Sequence, residues 1–155
     1  MADYRFPNNF HLITFHKDYL ELESDDVVLP CQVYPEASAV TMTIRWFKYE
    51  ECIYLYKNGQ VRESSGYEGR VSLITQELEK GNVSLRIKNM KESDEGVYIC
   101  QVVYGAQKEE AAVGLGTRGE KPGTCYIRPV PASAYLHRET QEKKLRREES
   151  ATQIG

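Results

Sequence analysis

No stretch of this sequence approaches eighteen consecutive apolar residues, so no helix able to cross a bilayer is written into it. The N-terminus, Met1-Ala2-Asp3-Tyr4-Arg5-Phe6-Pro7, lacks the apolar core of a secretory leader. There is no CxxC pair and no Cys/His cluster at zinc spacing, so no metal site is expected. No glycine-rich loop is present to cradle a phosphate, and no cofactor is expected. The three histidines, His11, His16 and His137, stand beside no nucleophile with an orienting carboxylate. Asp25-Asp26 and Glu50-Glu51 are adjacent pairs, whose members face opposite ways in a strand. An enzyme is therefore not expected. The charge is short of basic residues: 20 Lys and Arg against 23 Asp and Glu, a net −3, which argues against nucleic-acid binding.

What is present is one spaced set. The single tryptophan, Trp46, lies fifteen positions after Cys31, and Cys100 lies sixty-nine after it. Tyr98 precedes Cys100 by two, in the run Asp94-Glu95-Gly96-Val97-Tyr98-Ile99-Cys100. This is the Cys–Trp–Cys spacing with a tyrosine corner of an immunoglobulin sandwich, an all-β two-sheet Greek key. In that fold one disulfide, Cys31 with Cys100, spans the roughly 10 Å between the sheets, and the indole packs beside it. The Tyr98 hydroxyl then needs a backbone acceptor upstream, around Glu92 to Asp94. Arg70 is placed to reach the Asp94 carboxylate in a charge-assisted pair. All six residues are read as scaffold. Three arrangements are open for Cys52 and Cys125: a bond to each other, two free thiols, or a link to another chain.

Strands are expected over Phe10–Leu22, Val27–Val33, Met42–Lys48, Cys52–Lys57, Gln60–Ser64, Arg70–Thr75, Val83–Lys88, Val97–Tyr104 and Glu109–Leu115. Asn58-Gly59 is a strong hairpin signal. The hairpin it joins adds two strands between the cysteines, which marks a variable-type domain. Gly114-Leu115-Gly116 would permit a bulge. The expected division is a frayed segment at 1–9, the domain at 10–116, a Pro/Gly linker at 117–132 and a charged tail at 133–155. The tail favours helix by propensity but is polar all round, so it reads as solvated or as a piece of coiled-coil stalk.

Two sites are candidates. Asn82-Val83-Ser84 is an N-glycosylation sequon at a turn. Strand alternation from Trp46 and Cys100 sends Arg45, Phe47, Ile99, Gln101 and Val103 to the outer face of one sheet, with Tyr104 opening the loop at its rim. Aromatic and apolar groups grouped with an arginine match the anchors of protein interfaces.

Asp25-Asp26-Val27-Val28-Leu29-Pro30-Cys31, Ile44-Arg45-Trp46-Phe47 and Tyr54-Leu55-Tyr56-Lys57-Asn58-Gly59 resemble the variable-type domain of butyrophilins and myelin oligodendrocyte glycoprotein. So do Tyr67-Glu68-Gly69-Arg70-Val71, Gly81-Asn82-Val83-Ser84-Leu85-Arg86-Ile87 and Ser93 to Cys100, and the resemblance covers about residues 10–116. It implies a cell-surface protein that binds a protein counter-receptor on an immune cell and modulates T-cell activation and cytokine production. It also implies display on the outer side of the plasma membrane. Three departures stand out: Ser24 where a glycine usually precedes the Asp-Asp pair, no leader or membrane span, and a linker and tail in place of a second domain. A structural disulfide requires an oxidising compartment, so a truncated chain, an incomplete reading of the gene or an alternative splice form would each explain these absences. The alternatives to a receptor-binding module are a soluble or truncated non-signalling product and an antigen-receptor-like variable chain.

Overall fold

The computed structural model describes residues 9–19, 26–117 and 125–131. Residues 1–8, the tail at 133–155 and the segment 118–124 of the expected linker lie outside the described residues, as does Ser24. Among the described residues there are twelve strands: β1 His11–Ile13, β2 Lys17–Tyr19, β3 Val27–Leu29, β4 Gln32–Tyr34, β5 Thr43–Lys48, β6 Glu51–Lys57, β7 Gln60–Glu63, β8 Val71–Leu73, β9 Leu85–Ile87, β10 Gly96–Tyr104, β11 Gln107–Thr117 and β12 Cys125–Val130. Short 3₁₀ segments occupy Thr75–Lys80 and Glu92–Asp94.

One layer is a seven-stranded sheet in the order β2-β12-β11-β10-β5-β6-β7. The other consists of β3-β9-β8 and the pair β1-β4. A single core lies between them, with Trp46, Tyr98, Phe10, Leu29, Ile44, Ile53, Leu85 and Ile87 fully buried. Along β5 and β10 these are the positions of one parity, as a half-buried sheet requires, while a register shift between β5 and β6 brings both Ile53 and Tyr54 of β6 into the core.

The strand expected over Val27–Val33 is divided. β3 pairs with β9 and β4 with β1. Pro30, which has no N–H to give to a ladder, stands at the break. The next N–H, that of Cys31, is donated to Ser84 Oγ at 3.0 Å. The β6–β7 turn is as read from Asn58-Gly59: both residues have positive φ, 51° and 76°, as a type I′ turn demands. Thr75 belongs to the 3₁₀ segment rather than to β8.

The expected linker needs correction. Residues 125–130 form β12, hydrogen-bonded to β11 on one side and to β2 on the other. Cys125 and Ile127 are buried in the main core. No bulge interrupts β11 at its glycines, where the register against β10 and β12 is continuous. Gly114 and Gly116 serve instead to receive β12. A Cβ at Gly116 would lie 2.4 Å from the Tyr126 ring, and one at Gly114 would lie 3.4 Å from a Val130 methyl. β2 covers β12 only at 125–127, and the uncovered part carries Pro129, which blunts that edge.

Candidate binding face

The structure brings Trp46, Cys100, Arg70, Asp94 and Tyr98 into two sets of contacts. Trp46 is the cross-strand partner of Cys100, and its indole N–H donates to Val83 O at 2.9 Å, tying the two layers. Arg70 Nη2 donates to Asp94 Oδ2 at 2.5 Å and to Asn89 O at 3.2 Å. The same carboxylate oxygen accepts the Lys91 N–H at 2.8 Å. The Arg70–Asp94 bond is single rather than forked, since Arg70 Nε is buried without a hydrogen-bond partner. Tyr98 donates its hydroxyl proton to Asp94 O, completing the corner. Burial first, and then the negative charge of Asp94, push the Tyr98 hydroxyl well above its ordinary pKa. That side chain stays neutral and serves as a donor.

Cys31 and Cys100 are both buried, as thiols in this structure, and they are neighbours in the main core. Burial, followed by the contact with Cys31, pushes the Cys100 thiol well up, so it is not poised as a nucleophile. The disulfide between them is not formed here and stands as a proposal. Cys52 packs with the outer cluster of the seven-stranded sheet and Cys125 with the inner core, on opposite sides of that sheet.

The outer face of the seven-stranded sheet is built in cross-strand rows. In the first, Cys52, Phe47, Ile99, Ala112 and Val130 are successive register partners across β6, β5, β10, β11 and β12. The second is Leu55, Arg45, Gln101 and Glu110, and the third begins Thr43, Val103 and Lys108. The alternation read from the sequence is thus correct in direction. The expected exposure is not. Phe47 retains 7%, Ile99 1% and Gln101 7% of their accessible surface, too little for exposed anchors. Phe47, Ile99 and Ala112 form a second buried cluster with Cys52, Val97 and Val130 packed on it. Val130 comes from β12, a stretch whose prolines and neighbouring glycines give it the composition of a linker, so the sequence alone does not show this cover.

The second row is a polar chain. Arg45 Nη1 donates to Gln101 Oε1 at 3.1 Å, and Gln101 Nε2 donates to Glu110 Oε1 at 2.7 Å. Each link uses a donor and an acceptor of the glutamine amide, so Gln101 is held in one orientation. Arg45, Val103 and Glu110 are half-buried and Lys108 is exposed. Tyr104 does not lie on this face: its parity is that of Cys100, and it packs against the main core. The part of the face that meets solvent is therefore the end bearing Arg45, Glu110, Thr43, Val103 and Lys108.

Residues 19–117 match the immunoglobulin V-set domain. The chain belongs to that family. It is 31% identical over 115 residues to myelin-oligodendrocyte glycoprotein of Macaca fascicularis, covering 71% of this chain and 47% of that protein. It is 35% identical over 111 residues to butyrophilin subfamily 1 member A1 of Bos taurus, covering 68% and 21%. The chain thus spans half or less of the length of these relatives. Among solved structures, bovine butyrophilin superposes with a TM-score of 0.60 at 28% identity, covering 76% of this chain and 64% of that one. The IgV-like domain of human B7-H4 superposes at 0.56 and 23% identity, a likeness of fold. The V-set match ends at Thr117, so β12 lies outside it. Among the described residues no helix is long and apolar enough to cross a membrane.

Proposed function

We propose that this V-set domain is a receptor-binding module of the immune cell surface, engaging a protein counter-receptor and modulating T-cell activation. The contact surface is the outer face of the seven-stranded sheet at the end bearing Arg45, Glu110, Thr43, Val103 and Lys108. The observation that carries this reading is the Arg45–Gln101–Glu110 chain running across three strands beside a sealed apolar row. A surface already ordered by its own hydrogen bonds loses little side-chain entropy when a partner docks. It offers an arginine and an apolar residue at the centre, the mix enriched in interfaces. Similarity to butyrophilins supports the immune setting.

The test is binding of the folded, oxidised domain to T cells, with Val103→Asp and Arg45→Glu compared with wild type. Each variant places an unmatched charge in a desolvated contact and should weaken binding by about 2 kcal/mol or more, roughly thirtyfold. Lys108→Glu at the rim should cost less and act mainly on the rate of association. Equal binding by all three folded variants would move the contact to another surface. Binding with no change in T-cell activation would favour a non-signalling product.

A further inference from the structure

The sequon Asn82-Val83-Ser84 is woven into the core at the point where Cys31 docks. The Asn82 N–H donates to Glu77 O at 3.2 Å, and the residue bridges Gln32. The Val83 N–H donates to Cys31 O at 2.9 Å, and Val83 O accepts the Trp46 indole. Val83 retains none of its accessible surface and Ser84 only 5%. Ser84 Oγ accepts the Cys31 N–H at 3.0 Å and itself donates to Cys31 O. The Ser84 N–H donates to Asn82 Oδ1 at 3.0 Å, while Asn82 as a whole is half-buried.

Transfer of a glycan needs this tripeptide as a free strand. The Asn82 Nδ2 must attack the anomeric carbon of a lipid-pyrophosphate-linked oligosaccharide. A carbon–nitrogen bond forms, the carbon–oxygen bond to pyrophosphate breaks, the lipid pyrophosphate leaves with the electron pair, and Nδ2 gives up one proton. The serine hydroxyl belongs to the sequon because the transferring enzyme reads it. In the folded domain that hydroxyl is buried and bonded to the backbone of Cys31. Freeing it means breaking the bonds of both Val83 and Ser84 to Cys31 and exposing Val83, and thus opening the sandwich at its central cysteine.

We propose that Asn82 is a glycan acceptor presented only by the unfolded chain, and that docking of Cys31 onto Ser84 closes the site. The inference rests on the extracellular setting proposed above. Occupancy is then a race between glycan transfer and closure of the core. A glycan once attached remains compatible with the fold, because Asn82 is half-exposed. It stands before β9, in the layer opposite the proposed binding face.

The experiment uses the full chain and three substrates. The chain is translated into microsomal membranes behind a heterologous leader. The same chain, folded and purified, is offered to permeabilised membranes with lipid-linked oligosaccharide. A third sample is the purified chain with its buried thiols alkylated, which cannot close the core. Modification at Asn82, read by glycopeptide mass and lost in Asn82→Gln, is expected in the first and third samples and absent in the second. Equal modification of the folded chain would show that the sequon is open in the native state and would overturn the proposal. So would no modification in the first and third samples. The readout is independent of T-cell binding, so failure here leaves the proposed binding face standing.

Discussion

The Tyr126 ring occupies the space directly over Gly116, its cross-strand partner, so closely that a Cβ there would lie 2.4 Å away. The Arg128 guanidinium lies over the same ring, 4.5 Å from its centre. A glycine in a strand interior usually weakens the strand. Here it provides the seat on which β12 is added to the V-set sheet.

Gly116→Ala should therefore push the Tyr126 ring aside and destabilise the domain by about 1–3 kcal/mol. Gly114→Ala, whose Cβ would lie 3.4 Å from a Val130 methyl, should cost less. In a Tyr126→Ala background the Gly116→Ala cost should largely vanish. Urea unfolding of the four proteins measures this coupling, and strict additivity would show that the seat is unimportant.

Ile127→Ala should cost about 2–5 kcal/mol, as for other fully buried isoleucines. A chain ending at Thr117 should lose more, since it lacks Ile127 and Cys125 from the core together. An unchanged melting temperature in the shortened chain would mean that β12 is not part of the folding unit.

Asp94→Ala should destabilise by about 3–5 kcal/mol, because it strands the Arg70 guanidinium and removes an acceptor from the Lys91 N–H. Arg70 keeps 20% side-chain exposure, so solvent screening places the value at the low end of that range. Arg70→Leu with Asp94→Ala should cost less than the two single changes summed. A double-mutant cycle with zero coupling would contradict the pairing.

Tyr98 sets an alkaline limit. Its folded pKa lies above the unfolded value of about 10, so the folded state holds its proton more tightly. The contribution to stability is complete below that pH and is lost as pH rises beyond it. Tyr54 and Tyr67 are shifted the same way by burial. Unfolding free energy should be flat with respect to these groups at neutral pH and fall above about pH 10. Tyr98→Phe should be less stable at neutral pH and should show a shallower alkaline decline. An identical decline in both proteins would remove Tyr98 from the account.

Secreted protein should carry the Cys31–Cys100 bond, and its loss should cost about 2–5 kcal/mol. Peptide mapping without reductant checks this. Recovery of both as thiols in folded, secreted material would refute it.

The resemblance to butyrophilins and the V-set fold were legible because they rest on short, spaced signals. The Cys31, Trp46 and Cys100 positions, the Tyr98 corner and the Asn58-Gly59 turn each follow from strand parity or from the backbone angles of a single turn. Arg70 and Asp94 could be paired in advance because the corner brings them to one end of the sandwich. β12 also left a trace, an alternation of Cys125 and Ile127 against Tyr126 and Arg128. Proline and glycine on either side concealed it, and its stability comes from a neighbour rather than from its own residues. The outer face shows the same division. Sequence parity determined that Phe47, Ile99 and Gln101 point outward from the sheet. Whether they meet water depended on Val130 reaching over from β12 and on Arg45 and Glu110 closing on Gln101. Those contacts join residues far apart in the chain, and only the tertiary structure decides them.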